Sequence, residues 1–501
     1  MISRVALVVT FAAVVALVLI FARPISQGAH ALVDATSRLF GSSKSTDLLT
    51  ASTASESTSS TTRTASASVA APVPAPVAQA PAANPQPAPA AVAQPAPSTV
   101  AQASSGGQQL SLSSPGQPLG QDTSGPKVMV RGVTDTEIRF GISAPFSGAA
   151  KELGQNMRLG IEAAFNAANA RGGVNGRQLK LIAADDGYEP ARTADTMKRL
   201  YERDQIFAVV GNVGTPTAAV ALPYALDRKM LFFGAFTGAG LLRSDPPDRY
   251  VFNYRASYAE ETAATVQYLV KVKRLKPSQI AVFAQQDAYG DAGFSGVAKA
   301  IRALGGDENA ILRLHYQRNT VDVDDAVNQL KLQKNGIKAV VMVATYRAAA
   351  RFIEQVHDLY PKMIFTNVSF VGSTALAEEL KLLGQRYATG VIVTQVVPPV
   401  ESFATAVLKY KEVLGKYFPG EKPDYVSLEG YWMANLMIEG VRRAGREVDS
   451  EHLVDALESV HDLDLGLGTP LTFGLAEHQA SHRVWGTQIN EAGTFDVIDL
   501  K

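Results

Sequence analysis

The loops that follow three predicted strands carry hydroxyl side chains and glycines, and they contain no acid, base or metal ligand. The loops are residues 144–148 (APFSG), 212–217 (NVGTPT) and 235–240 (AFTGAG). Because the carboxyl ends of parallel strands meet at one edge of a sheet, we expect these loops to lie together beside helix amino termini. Hydroxyl and backbone N–H donors there suit a carboxylate or another anion. Thr215 and Thr237 are the leading candidates; the alternative is that they only cap the following helices.

Other chemistry finds little support in the spacing of the polar residues. His478 and His482 are four residues apart, but they lie where a loop leads into a predicted strand, which breaks the helical spacing of a zinc site. The sequence contains no G-x-x-x-x-G-K-[ST], no G-x-S-x-G and no Cys. It has 47 basic and 47 acidic side chains, so no net attraction to nucleic acid is expected. We therefore expect a protein that is not an enzyme and that needs no cofactor or metal.

The elements that must position these loops alternate between strands and helices from residue 134 onward. The predicted buried strands are residues 138–143, 179–183, 207–211, 230–234, 280–284, 339–343, 363–366 and 391–394. Such alternation gives right-handed parallel crossovers and an α/β fold with covered sheets. A hairpin is predicted near the C-terminus, between residues 483–489 and 494–498. About 370 foldable residues are too many for one core and suit two doubly wound lobes.

The N-terminal third of the chain has a different composition. Residues 5–22 form an uncharged apolar run between Arg4 and Arg23, long enough for about 27 Å of helix. Its length favours a membrane anchor within residues 1–31, whereas Ala29-His30-Ala31 permits the alternative, a signal peptide cleaved after Ala31. Residues 32–133 are rich in Ala, Pro, Ser and Thr and predict a disordered linker. Both alternatives place the folded part in the periplasm or at another extracytoplasmic face.

Short motifs in the folded part resemble those of type I periplasmic solute-binding proteins, in particular the leucine/isoleucine/valine-binding group that feeds ABC importers. The motifs are Phe146-Ser147-Gly148, residues 172–176 (GGVNG), Asp185-Asp186, residues 211–215 (GNVGT) and Tyr289-Gly290. The resemblance covers residues 135–498 and implies two lobes that close over a ligand about three hinge crossings. The crossings are expected near residues 255–257, 396–399 and 468–471. The first lobe would then hold residues 134–255 and 399–469, and the second lobe residues 256–398 and 470–501.

Carried over by position, the resemblance implies a site built from both lobes. Thr215 matches the residue that binds an amino-acid carboxylate, and Thr237 matches one that contacts carboxylate and ammonium together. Tyr289 and Tyr346 match aromatic side chains of the second lobe, and Tyr289 would close on the ligand. Phe146 and Gly238, from the loops named above, complete this part of the expected site.

Two positions depart from the family pattern. The acidic residue for the ligand ammonium falls at Ser369, and the aromatic residue of the first loop falls at Leu153. An ammonium without a counter-charge in a closed cleft costs several kcal/mol. The expected ligand is therefore either an α-amino acid or one of four alternatives: a simple carboxylate, an aromatic acid, an amide or a urea-like solute. Glu260 is a candidate for the missing charge, and its alternative is a solvated helix residue.

The expected function is capture of a small amino-acid-like, carboxylate or amide ligand for the permease subunits of an ABC importer. The alternative is a membrane-tethered sensor of the same fold that acts through a partner protein, which the anchored linker favours. An enzyme is the third class, and the absence of a catalytic motif argues against it.

Overall fold

The computed structural model describes residues 129–333 and 336–501. The predicted anchor, residues 1–31, and residues 32–128 of the predicted linker lie outside these described residues. Within the described residues, no helix combines the length and apolar character needed to cross a bilayer.

The first sheet has five parallel strands in the order β2-β1-β3-β4-β5. These strands are β1 (Glu137–Ala144), β2 (Gln178–Asp185), β3 (Ala208–Val210), β4 (Phe232–Phe233) and β5 (Val251–Phe252). Its connecting helices are α1 (Lys151–Asn169), α2 (Pro190–Glu202) and α3 (Thr215–Leu226). The buried face of α1 includes Met157, Ile161 and Phe165. This three- to four-residue spacing is what predicts an amphipathic helix from the sequence.

The second sheet has seven strands in the order β12-β11-β10-β9-β8-β6-β7. The strands are β6 (Ile280–Gln285), β7 (Arg313–Tyr316), β8 (Ala339–Val343), β9 (Ile364–Asn367), β10 (Ile392–Gln395), β11 (Trp485–Ile489) and β12 (Phe495–Ile498). The helices of this lobe are α4 (Tyr258–Gln267), α5 (Ala288–Ala303), α6 (Asp324–Lys331), α7 (Tyr346–Leu359), α8 (Ser373–Leu383) and α9 (Gln385–Ala388). Strands β6 to β10 are parallel, and β11 and β12 form the predicted antiparallel hairpin.

Three more helices return the chain to the first lobe. They are α10 (Thr405–Tyr417), α11 (Tyr425–Ala444) and α12 (Ser450–Glu458). Helix α11 packs along α1, and the Asn175 side-chain amide donates to the carbonyls of Val441 and Gly445, each at 2.8 Å. The first lobe is therefore assembled from segments on both sides of the second.

The third hinge crossing lies later in the chain than residues 468–471, where the resemblance places it. The Asn253 N–H donates to the His478 carbonyl at 2.7 Å, and the Ala480 N–H donates to the Asn253 carbonyl at 2.8 Å. The Phe473 ring packs on Phe252 with 5.1 Å between the centroids. Because these contacts extend the edge of the first sheet, the chain leaves the first lobe only between residue 480 and β11.

Candidate ligand-binding site

Two threonines of the first lobe meet at the carboxyl edge of its sheet. Thr215 begins α3, Thr237 lies in the loop after β4, and both are fully buried. Their Oγ1 atoms form a hydrogen bond of 2.7 Å. The N-cap position of α3 is Gly214, and the helix has no side-chain cap. Thr215 is therefore not a cap of this helix, and its hydroxyl lies at the positive end of the helix dipole.

Tyr188 packs against this helix terminus and also reaches the second lobe. Gly214 has φ 106°, and a Cβ there would lie 2.3 Å from the Tyr188 ring. The Tyr188 hydroxyl accepts a hydrogen bond of 3.2 Å from Gln285 Nε2 at the end of β6. Tyr188 is fully buried and has φ 63°. The sequence motifs do not single it out, although it stands between the two lobes.

Aromatic side chains of the second lobe pack beside the loop that carries Thr237. Tyr289 lies in the first turn of α5, with ring centroids 4.7 Å from Phe370 and 5.4 Å from Tyr258. Phe370 is in turn 5.0 Å from Phe236 of the first lobe. The Tyr258 N–H donates to the Gly238 carbonyl at 2.7 Å. Thr237, Gly238 and Tyr289 are thus brought into one neighbourhood.

The Tyr289 hydroxyl is an unused hydrogen-bonding group in this neighbourhood. The side chain is fully buried, and its oxygen has no partner among the described residues. Burial raises the pKa of Tyr289 well above its ordinary value, so the group stays a neutral donor. A buried polar group of this kind costs free energy unless a partner satisfies it. A polar atom of a ligand would do so.

Ser369 is part of a buried ionic cluster. One oxygen of the Glu261 carboxylate accepts from Arg255 Nη2 at 3.1 Å and from the Ser369 hydroxyl at 3.0 Å. The other accepts from the Ser369 N–H at 2.8 Å and from the Thr394 hydroxyl at 2.5 Å. Four donors fill the acceptor sites of a carboxylate. Glu261 therefore places a carboxylate beside Ser369, which the sequence does not predict. The acceptor sites of this carboxylate are already occupied by donors of the protein itself.

A second carboxylate reaches the same guanidinium from the first lobe. Glu429 of α11 lies 3.5 Å from Arg255 Nη1, and both side chains are buried. Burial raises the pKa of Glu429 to about 7, with the charge of Arg255 acting in the opposite direction. The Arg255 guanidinium also lies 4.9 Å from the centroid of the Phe236 ring. One guanidinium thus faces two carboxylates next to the aromatic neighbourhood.

Tyr346 lies apart from Tyr289 but also where the lobes meet. It begins α7 and is buried, and both its ring and the Leu153 side chain of the first lobe lie around Gly372. Burial raises the pKa of Tyr346 to about 12. Leu153 therefore offers an apolar contact where the family has an aromatic residue.

Phe146 and Glu260 are not placed in this neighbourhood. Phe146 is half-buried in the loop after β1, where its N–H donates to Asp185 Oδ1 at 2.8 Å. Glu260 forms a capping box with Ser257 at the start of α4 and accepts hydrogen bonds from Gln479 at 3.0 Å and His482 at 2.7 Å.

Glu260 lines a separate pocket at the hinge, with a volume of about 350 Å³. The next residue, Glu261, turns to the opposite environment because successive helical positions are about 100° apart. Glu260 is therefore not the counter-charge at Ser369. Within the described residues, no group of three or more acidic, His or Cys side chains is placed to hold a metal ion.

Sequence reasoning missed five residues that the structure adds to this region. They are Tyr188, Arg255, Glu261, Phe370 and Glu429. One signal was available: Arg255 is a charged residue within a predicted hinge crossing, where a buried charge needs a partner. The sequence carries no indication that its partners come from α4 and α11.

The chain forms two doubly wound lobes that are joined at a hinge. The lobes meet at a buried candidate site of polar and aromatic side chains. This architecture is that of a hinged solute-binding protein. The chain belongs to the periplasmic binding protein family, whose model matches residues 137–494. The fold and the family that the motifs imply are both confirmed. This is a family of solute-binding proteins.

One relative and two solved structures show how far the similarity extends. A possible leucine/isoleucine/valine-binding protein from Rhodopirellula baltica is 43% identical, with a TM-score of 0.69 over 73% of this chain and 97% of that chain. The Leu/Ile/Val-binding protein homolog 3 of Brucella melitensis is 24% identical over 66% of this chain and 86% of the relative. The substrate-binding protein LivJ of Streptococcus pneumoniae, solved in complex with isoleucine, has a TM-score of 0.61 at 19% identity, covering 72% of this chain and 99% of that chain. At that identity the last comparison shows the fold alone.

Proposed function

We propose that this protein captures a small amino-acid-like, carboxylate or amide ligand between its lobes and delivers it to the permease of an ABC importer. The observation that carries the proposal is the Thr215–Thr237 hydroxyl pair, 2.7 Å apart at the start of α3. It lies next to aromatic rings from the other lobe, and the Tyr289 hydroxyl has no partner among the described residues. The relatives named Leu/Ile/Val-binding proteins support an amino-acid-like ligand.

The distribution of charge suggests how such a ligand is oriented. A carboxylate fits the Thr215 and Thr237 hydroxyls, where the α3 dipole adds to the attraction. An apolar group fits against the Phe236 and Phe370 rings. A ligand ammonium would not pair with Glu261, whose acceptor sites are occupied. Glu429 is the carboxylate of the cluster that remains for it.

Titration calorimetry on three matched compounds tests the ligand class. L-Leucine, 4-methylpentanoate and 4-methylpentanamide share one carbon skeleton and differ in the ammonium and carboxylate groups. Binding of leucine alone would identify an amino-acid receptor, and binding of the acid or the amide alone would show that the ammonium is dispensable. Failure of all three, together with a wider set of amino acids and small carboxylates, would overturn the proposed ligand class.

Thr215→Val tests the site, with Thr217→Val as its control on the same helix. Loss of the Thr215 hydroxyl should weaken binding by about 1–3 kcal/mol if it meets a charged ligand group. The Thr217 hydroxyl donates to the backbone carbonyls of Val213 at 2.5 Å and Gly214 at 3.0 Å. Its loss should therefore lower the thermal stability and leave the affinity nearly unchanged. Equal affinities in wild type and Thr215→Val would place the ligand elsewhere.

We further propose that residues 1–31 hold the protein on the outer face of the inner membrane. The uncharged run at residues 5–22 supports this. Fractionation of cells that express the full chain should then recover it with the membranes. Recovery of a soluble product that begins at Leu32 would instead show cleavage after Ala31.

A further inference from the structure

A loop of the second lobe is hydrogen-bonded to a loop of the first lobe at the edge of the cleft that lies farthest from the hinge. The first-lobe loop, residues 187–189, follows β2, and the second-lobe loop, residues 317–320, follows β7. Both strands are terminal in their sheets. The hinge segment around Asn253 and Gln479 extends the first sheet at its other end, beyond β5. A rotation about the hinge therefore moves these two loops apart more than it moves the groups near Arg255.

Three hydrogen bonds join the loops, and two of them converge on Glu189. Arg318 Nη2 donates to Glu189 Oε2 at 2.9 Å, and Asn319 Nδ2 donates to Glu189 Oε1 at 2.6 Å. Asn319 Nδ2 also donates to the Gly187 carbonyl at 3.1 Å. Both carboxylate oxygens of Glu189 are therefore held by the opposite lobe. All three bonds must break when the lobes separate.

Arg318 has a second partner that belongs to its own lobe. Its Nη1 donates to Asp287 Oδ2 at 3.0 Å, and the other Asp287 oxygen accepts from the Tyr289 N–H at 3.0 Å. Opening would thus leave Arg318 paired with Asp287, whereas Glu189, the Asn319 amide and the Gly187 carbonyl would lose their bonds across the cleft. This arrangement lowers the cost of opening, because no guanidinium is left unpaired. It also ties the loop to the start of α5, which carries Tyr289.

The first-lobe loop carries Tyr188, which lies between the two lobes. Its ring packs against Gly214, and its hydroxyl accepts from Gln285. The backbone of Tyr188 is left-handed, with φ 63°. A non-glycine residue keeps this conformation only where its surroundings impose it. The bonds to Gly187 and Glu189 hold the residues on either side of Tyr188.

We propose that Arg318 and Asn319 are positioning residues: they latch Glu189 when the lobes close, hold Tyr188 over the site and so set the fraction of molecules that is closed. This inference rests on the proposed function, because it assigns the latch to the same cleft. The latch itself needs no particular ligand. The side chains of Arg318 and Glu189 are 23% and 41% exposed, so salt partly screens their attraction. Loss of one such pair should raise the ratio of open to closed molecules about two- to fivefold.

Distances between spin labels on the two lobes test the latch without knowledge of the ligand. The sequence has no Cys, so Ala194→Cys on α2 and Gln329→Cys on α6 would carry the only labels. Both positions are exposed, and their helices follow β2 and β7. Double electron–electron resonance on the full chain measures the distance between the two labels, which is longer in open molecules. The fraction of molecules with the longer distance should be greater in Glu189→Gln and in Arg318→Met than in the otherwise unchanged labelled protein. The shift should grow smaller with added salt.

Three comparisons separate a latch from a general loss of structure. The double variant Glu189→Gln/Arg318→Met should open no further than Glu189→Gln alone, because Glu189→Gln already removes the ion pair that Arg318→Met removes. Arg318→Lys keeps the positive charge but loses the simultaneous contacts of Nη1 with Asp287 and Nη2 with Glu189. Its fraction of open molecules should lie between those of wild type and Arg318→Met. Asp291→Asn removes an ion pair with Arg313 that lies within the second lobe. It should leave the distances as in wild type.

Distances in Glu189→Gln and Arg318→Met that equal those of wild type, with and without L-leucine or 4-methylpentanoate, would overturn the latch. So would additive effects in the double variant, or an equal shift in Asp291→Asn. If instead the label distances respond as expected while none of the three matched compounds, and none of the wider set of amino acids and small carboxylates, binds in calorimetry, the proposed ligand class fails and the latch stands. The two proposals therefore fail on different measurements.

Discussion

Glu429→Gln should change how the stability of the protein depends on pH. Glu429 is only 3% exposed and lies 3.5 Å from the guanidinium of Arg255. Burial raises its pKa from the ordinary 4.5 to about 7, against the opposing effect of Arg255. Between these values the folded protein keeps a proton that the unfolded chain releases. Stability from this group is therefore complete below about pH 4.5 and is lost as the pH rises through about 7.

The size of the effect follows from the difference between the two pKa values. At about 1.4 kcal/mol for each pH unit, ionising Glu429 in the folded protein costs at most about 3–4 kcal/mol above pH 7. Glutamine has nearly the same shape and cannot ionise, and Arg255 keeps Glu261 as its partner. The variant should therefore match wild type near pH 4 and become more stable than wild type toward pH 8.

Thermal unfolding midpoints of both proteins across this range measure the difference. Burial also raises the pKa of Asp186, to about 6, but that group is present in both proteins and cancels. Glu439→Gln, which removes a carboxylate from a half-buried position of α11, is the control for the loss of a charge from this helix. A difference between Glu429→Gln and wild type that does not vary with pH would refute the reasoning. A variant that grows less stable with rising pH would show that ionised Glu429 stabilises Arg255.

Three further substitutions have outcomes that the structure predicts. Tyr289→Phe should keep the melting temperature and weaken ligand binding about fivefold or more, since its hydroxyl has no partner among the described residues; unchanged calorimetric affinity would place the ligand away from it. Gly214→Ala should lower the free energy of unfolding by about 1–3 kcal/mol, because residue 214 has φ 106° and its new Cβ would lie 2.3 Å from the Tyr188 ring. A thermal unfolding midpoint equal to that of wild type would contradict this. Burial would raise the pKa of Glu260, but hydrogen bonds led by that from His482 hold it at about 2. The stability that Glu260 contributes is present above its ordinary pKa and is lost as the pH falls toward 2. In Glu260→Gln the melting temperature should therefore fall less steeply between pH 5 and pH 2 than in wild type. Parallel curves of melting temperature against pH would argue against this.

Most of the secondary structure follows from local patterns in the sequence. All eight strands and the hairpin predicted from apolar runs are present, within a few residues of their predicted limits. The strands β5 and β7 were not predicted. Strand β5 has two residues, and β7, with the sequence RLHY, places two polar side chains at half-buried positions. Runs this short and this polar do not form a period that can be recognised, although β7 leads into the Arg318 loop.

The sequence by itself also predicted part of the arrangement around the candidate site. Thr215 and Thr237 were expected to meet because each follows a parallel strand, and the carboxyl ends of neighbouring strands lie together in any doubly wound sheet. The family resemblance assigned Tyr289 to the second lobe, where it would close on the ligand. The proximity of the two threonines is a consequence of chain direction and strand order, and both can be inferred from one-dimensional patterns.

Only the tertiary structure decided which charges meet. Glu261, not Glu260, reaches Ser369, because adjacent residues of α4 point in different directions. Glu429 joins Arg255 through the packing of α11, and Glu189 meets Arg318 across the cleft. These partners are far apart in the sequence, and each pairing depends on the relative placement of whole helices and lobes. Local periodicity carries no information about that placement, and the ionisation of a buried group such as Glu429 depends on it entirely.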